Sequence, residues 1–205
     1  STLDRSSAAS DVYKRQFKDF GQNLKVLYSL FISLTLLIMF ISMYSILNSY
    51  ITSNKVGGDM SVASVVKLFG VIGMFLSLLV GRLSGRLGTK RVLTLALSTC
   101  VVSLILMGTF TNIVLITIFS VTFVAGIAFA IPTVISKVGV VVNSNQGFFL
   151  SVNTVILFLG TAIAPILMIY VKQIPNFFLE FLTIAMIGVL AVIVSIFMPN
   201  DHHVN

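Results

Sequence analysis

The amino-acid sequence predicts an all-α integral membrane protein, a bundle of six transmembrane helices. Three observations predict it. Hydrophobic residues make up 57% of the 205 positions and charged residues only 9%, against roughly 25% charged in soluble domains. Charge-free runs are long enough to cross a bilayer, which takes about 20 apolar helical residues. Those runs are apolar all round rather than alternating, which excludes the strands of a membrane β-barrel.

Taken in order, residues 1–16, "STLDRSSAASDVYKRQ", are polar and Ser-rich and lack the apolar core of a signal peptide. They read as a non-native or read-through leader ahead of a bundle over 17–205. The first span is expected at 26–51, within a stretch from Val26 to Asn54 that carries no charge. "NKVGGD" at 54–59 makes a turn, and the second span covers 60–81 with one internal charge, Lys67. Val92 to Ser136 is 45 residues without a charge, right for two crossings, 92–109 and 112–135, with the break at "GTFTN". The fifth span is expected at 147–171 and the sixth, closed off from it by "KQIPN", at 177–199.

Orientation follows from Lys and Arg. With the leader and Lys67 set aside, one side of the bundle holds Lys18, Lys25, Arg82, Arg86, Lys90, Arg91 and Lys137, and the other Lys55 and Lys172. The positive-inside rule makes the first side cytoplasmic, with both termini on it, in a multi-pass protein of the cell membrane. The net charge of +7 therefore belongs to topology. A nucleic-acid partner is excluded, because such a reader needs its basic residues on a solvated polar face.

Four of the thirteen basic residues fall within ten positions, in "VGRLSGRLGTKRVL" at 80–93. Topology alone does not ask for Gly81, Gly85 and Gly88 among them. Glycines at i, i+4 and i+7 lie close to one face of a helix end and suit close packing of backbones. The order Gly81-x-Leu83-x-x-Arg86-x-Gly88-x-Lys90-Arg91, between a second and a third helix, resembles the signature loop of the major facilitator superfamily of transporters. One residue departs from that pattern: Gly85 stands where the family usually has Asp, the acid of a charge network that latches the cytoplasmic side. The resemblance extends to "GTAIAP", Gly160 to Pro165, similar to the glycine-proline motif on the fifth helix of the drug/proton antiporter branch, with Ala164 in place of Gly. "GIAFAIP", Gly126 to Pro132, adds small residues and a proline that allow close contact and a bend.

This resemblance implies a C-terminal six-helix half of a twelve-helix transporter. Its partners would be the lipid bilayer, a small-molecule substrate, protons, and an N-terminal six-helix half. The implied activity is proton-coupled efflux of small hydrophobic or amphipathic compounds by alternating access. A different class of function is a self-contained six-helix scaffold or partner subunit without transport.

Polar residues within spans mark the candidate substrate path. Lys67 suits either a snorkelling lysine or a cavity cation, and Glu180, about one turn into the sixth span, an interfacial acid. Tyr44 and Asn48, four apart on the first span, share a face, and Asn153 and Thr154, with Thr161, give the fifth a polar seam. Hydrogen bonding to a ligand and hydrogen bonding between helices both fit these pairs. No Asp or Glu occupies the middle of any span, no Gly-Lys-Ser/Thr phosphate loop occurs, and His202 and His203 sit on the C-terminal tail. Cys100 is the only cysteine. No catalytic residue, cofactor or metal site is therefore expected, and no enzyme.

Overall fold

A computed structural model describes residues 24–139 and 146–198; the candidate leader at 1–16 and His202 and His203 lie outside the described residues. The described residues form helices and no strand: α1 (Leu24–Ile51), α2 (Met60–Phe75), a 3-10 turn (Leu76–Leu79), α3 (Val80–Leu87), α4 (Thr89–Thr109), α5 (Ile113–Gly139), α6 (Gln146–Val171) and α7 (Phe177–Phe197). Five of these, α1, α4, α5, α6 and α7, are long and apolar enough to cross a membrane, while α2 is a shorter apolar helix.

The helices satisfy their own backbones, as a span in lipid must. Threonine hydroxyls inside the spans follow suit. Thr35 donates to the Phe31 carbonyl at 2.8 Å, Thr117 to Ile113 at 2.7 Å and Thr133 to Phe129 at 2.6 Å. A threonine in this bonded form costs little in hydrocarbon.

α1 is the central helix, packed against α2, α5, α6 and α7, while α4 lies between α5 and α7. One end of the bundle gathers the start of α1, the α3–α4 junction, the end of α5, the start of α6 and the end of α7. Val26 of α1 packs with Phe149 of α6 there, and Thr94 of α4 bonds Ser195 of α7 at 2.7 Å. We call it the basic end. At the opposite end Tyr50 of α1 donates to the Phe110 carbonyl at 3.0 Å and its ring meets Phe177 and Phe181 of α7.

Small residues set the helix spacing, because lipid supplies no hydrophobic force to drive helices together and van der Waals fit must. A β-carbon on Gly73 of α2 would lie 2.6 Å from the Val121 carbonyl oxygen of α5, and one on Gly126 of α5 would lie 2.9 Å from the Ala96 carbonyl oxygen of α4. The second helix is where the chain departs most from the expected bounds. Helix does not stop at 81. It narrows to a 3-10 turn at Leu76–Leu79, resumes as α3, and ends only at Leu87.

Candidate functional site

The segment "VGRLSGRLGTKRVL" is two helix ends with a one-residue break, not a loop. Gly88 makes the break, with φ +83° and ψ 144°, a conformation open to glycine and strained for any residue with a β-carbon. Its N–H donates to the Ser84 carbonyl at 3.0 Å, closing α3, and its own carbonyl accepts from Val92 at 3.2 Å, opening α4. Arg82 and Arg86 are exposed one turn apart on α3, while Lys90 and Arg91 stand in the first turn of α4, half-buried and exposed respectively. Leu83 is partly exposed beside α4 and α5.

Gly85 and Gly88 do not mark close packing here. A β-carbon on Gly85 or Gly88 would meet nothing within 4 Å. Gly81 lies in the first turn of α3. What Gly85 leaves is room: residues 84–91, with Thr94, Leu95 and Ile196, line an open cleft of about 1010 Å³. The acids among the described residues, Asp59 and Glu180, are both at the opposite end of the bundle. No described carboxylate balances the four cations.

The candidate substrate path divides into two places. The Tyr44 hydroxyl lies against Gly70 of α2, 2.5 Å from where a β-carbon would stand, and its ring meets Phe40 edge-on at 5.1 Å. α1 and α2 run antiparallel, so one turn further along α1 the half-buried Asn48 comes level with the exposed Lys67 of α2. Tyr44, Asn48 and Lys67 thus occupy one zone of the α1–α2 seam. Asn153 and Thr154 do not join it. α6 runs parallel to α1, and a β-carbon on Gly160 would be 2.9 Å from the Leu34 carbonyl oxygen. This register brings Asn153 near Ser29, about 28 Å along α1 from Asn48 at 1.5 Å per residue. Asn153 is buried, whereas Thr154 is exposed and donates to its own helix at Leu150, 2.8 Å away. Thr161 likewise bonds the Phe158 carbonyl at 2.7 Å.

Gly126, Gly160 and Ala164 are buried at helix contacts, while Pro132 and Pro165 face outward from helices that run on through them. Sequence reasoning missed two further groups. Lys137, taken as a topology charge, is only 1% exposed at the end of α5, and the hydroxyl of Ser29 is buried at the level of Asn153. Among the described residues, neither Ser29 Oγ nor Asn153 Oδ1 has a hydrogen-bond partner. A lysine at the end of a long apolar run reads as a surface anchor, and serine carries no distance signal, so burial had to come from the packing. Glu180 is also buried, in the first turn of α7, where Asn176 caps the helix by accepting from Phe178 at 3.0 Å and Lys172 is the nearby cation. An acid in the first turn of a helix is stabilised by the backbone dipole.

Among the described residues no group of His, Cys, Asp and Glu is placed to hold a metal. The family model of the Major Facilitator Superfamily matches residues 30–205. The chain belongs to the major facilitator superfamily. It is accordingly a multi-pass membrane transporter that handles small molecules within the bilayer, and this superfamily is made up of transporters rather than enzymes. A search of curated proteins found no match.

Proposed function

We propose that the chain forms the C-terminal six-helix half of a proton-coupled exporter of small hydrophobic or amphipathic compounds, working by alternating access against an N-terminal half. The observation that carries this reading is the bareness of α2 and α6. α2 buries only Ala63, Val66, Gly70 and Gly73. α6 is the least buried of the long spans, with Phe158, Ile166, Ile169 and Tyr170 each more than half exposed. Both helices flank α1, so a second bundle docked on them would enclose the Tyr44, Asn48 and Lys67 zone between the halves.

In this reading the basic end is cytoplasmic, Arg86, Lys90 and Arg91 hold it there, and Gly81, Leu83 and Gly88 shape the α3–α4 elbow that moves when the halves rock. The weakened motif, with Gly85 for the acid, suits a second half. The spans contain no acid at mid-depth, so the coupling proton binds a carboxylate supplied by the other half.

The test uses inverted vesicles energised with a proton gradient and a fluorescent amphipathic cation as substrate. Vesicles holding this chain alone should insert it and export nothing, while the chain joined to its N-terminal half should export. In that longer protein, Arg86→Gln should impair export at unchanged membrane level. Export by this chain alone, or undiminished export by the Arg86→Gln protein, would overturn the proposal.

A further inference from the structure

Two cavities at the basic end share a wall, and together they have the shape and chemistry of one amphipathic ligand. The first is the cleft of about 1010 Å³ at the α3–α4 junction, presenting Arg86, Lys90 and Arg91. The second is a groove of about 210 Å³ between α3, α4 and α5, lined by Leu83, Val92, Leu95, Ala96, Phe129 and neighbours down to Thr99 and Thr122. Leu95 lines both and is 57% exposed.

From Lys90 to Thr99 along α4 the pair descends about 14 Å, close to the depth of one leaflet of a hydrocarbon core about 30 Å thick. Among the described residues, neither cavity takes a lining residue from α1 or α6, so the pair lies apart from the Tyr44–Asn48–Lys67 zone. The cations have no described carboxylate near them. The hydroxyls at the α7 wall are already engaged: Thr94 donates to the Lys90 carbonyl at 3.0 Å and is bonded to Ser195 at 2.7 Å. A ligand here meets three positive charges with no carboxylate partner among the described residues above, and hydrocarbon below.

We propose that this paired cavity binds an anionic phospholipid, its phosphate among Arg86, Lys90 and Arg91 and one acyl chain in the groove between α4 and α5. Basic pockets between membrane helices hold anionic headgroups by this combination of charge and adjoining apolar surface. Gly85 is what makes the headgroup space: any larger side chain there would project into the cleft, and an acid would neutralise it. A free inorganic anion would use only the upper cavity and a neutral lipid only the lower.

The test is native mass spectrometry of the purified full chain in a neutral detergent, with dioleoyl phosphatidylglycerol, dioleoyl phosphatidylcholine or inorganic phosphate added. Phosphatidylglycerol should bind saturably as a single adduct, about tenfold tighter than phosphatidylcholine, and millimolar phosphate should not displace it. The triple variant R86Q/K90Q/R91Q should weaken phosphatidylglycerol binding on the order of tenfold, and the charge-keeping R86K/K90R/R91K should restore it. Thr99→Phe, which fills the deep end of the groove, should weaken the dioleoyl lipid but not its dihexanoyl counterpart. Equal binding of the two lipids, displacement by phosphate, or a triple variant that binds like the parent would overturn the proposal. The readout is equilibrium binding to the isolated chain, so its failure leaves the transport reading standing, and the reverse.

Discussion

Replacing Gly73 by alanine should destabilise the bundle, while the same replacement at Gly85, twelve positions along the same composite span, should not. On Gly73 the new methyl would lie 2.6 Å from the Val121 carbonyl oxygen and 2.9 Å from the Ala125 nitrogen. Both are backbone atoms of α5, so no rotamer change relieves the clash and α2 must move outward by roughly 1 Å. Overpacking of this kind costs about 1–3 kcal/mol, partly offset by the gain of up to about 1 kcal/mol from removing glycine within a helix. The net loss is about 1–2 kcal/mol. At Gly85 the methyl meets nothing within 4 Å, leaving only the gain of about 0.5–1 kcal/mol. The two variants should therefore separate by about 1.5–3 kcal/mol. Unfolding in mixed dodecyl maltoside and sodium dodecyl sulfate micelles, followed by circular dichroism, measures the gap. A Gly73→Ala protein as stable as the parent would refute the α2–α5 contact as the reason for that glycine.

Further outcomes follow from other contacts. Gly88→Ala forces a β-carbon into φ +83° and should cost about 1–3 kcal/mol in the same assay; a protein of parental stability would mean that the elbow has another shape. Tyr50→Phe removes the 3.0 Å bond to the Phe110 carbonyl and should cost about 0.6–1.5 kcal/mol, whereas Tyr28→Phe, which breaks no hydroxyl contact described above, serves as the control. Cys100 is fully buried against α5, with its thiol toward the Phe123 carbonyl at 3.6 Å, so maleimide should label it only in step with unfolding, and rapid labelling of the folded protein would contradict the α4–α5 packing. Gly70→Ala should be destabilising alone and rescued by Tyr44→Phe, because the hydroxyl at 2.5 Å is the clash while the ring carbon behind it is 3.8 Å and Val124 3.4 Å away; a double variant no better than Gly70→Ala would place Tyr44 elsewhere.

The apolar runs were legible because they are bounded by charge and turn residues, and those boundaries are local. In the structure α4 ends and α5 begins around "GTFTN", and α6 ends at "KQIPN". The composite second helix was not legible. "LSLL" at 76–79 carries neither glycine nor proline, and its tightening reflects how α2 and α3 each seat on α5. Glycine spacing misled in the same region for Gly85 and Gly88, which stand in open space, while Gly73, outside that spacing, makes the close approach. Which face of a span is inward is hard to read when every face is apolar. Asn153 and Thr154 were alike in sequence, yet one is buried and the other exposed, a difference of 100° around α6 that only its register against α1 decides.

In the proposed reading, the composite second span would link the two ends of the bundle. α5 touches all three parts of the composite span, α2, the 3-10 turn and α3. α2 meets it at Gly70 and Gly73, whose β-carbon positions face Val124 and the backbone of Val121 and Ala125, a smooth surface of small residues. Such a surface resists approach but has few interlocking side chains to resist sliding. Tyr44 sits over the same surface at Gly70, one turn from the level of Asn48 and Lys67. In the transport reading proposed above, a ligand in that zone would press on the composite span whose far end carries Arg82 and Arg86, with the 3-10 turn between them as the joint that absorbs or passes on the shift. Stiffening that joint should uncouple the ends without disturbing either, whereas a change at Gly73 should disturb both. This contrast distinguishes a helix that transmits motion from one that merely fills space.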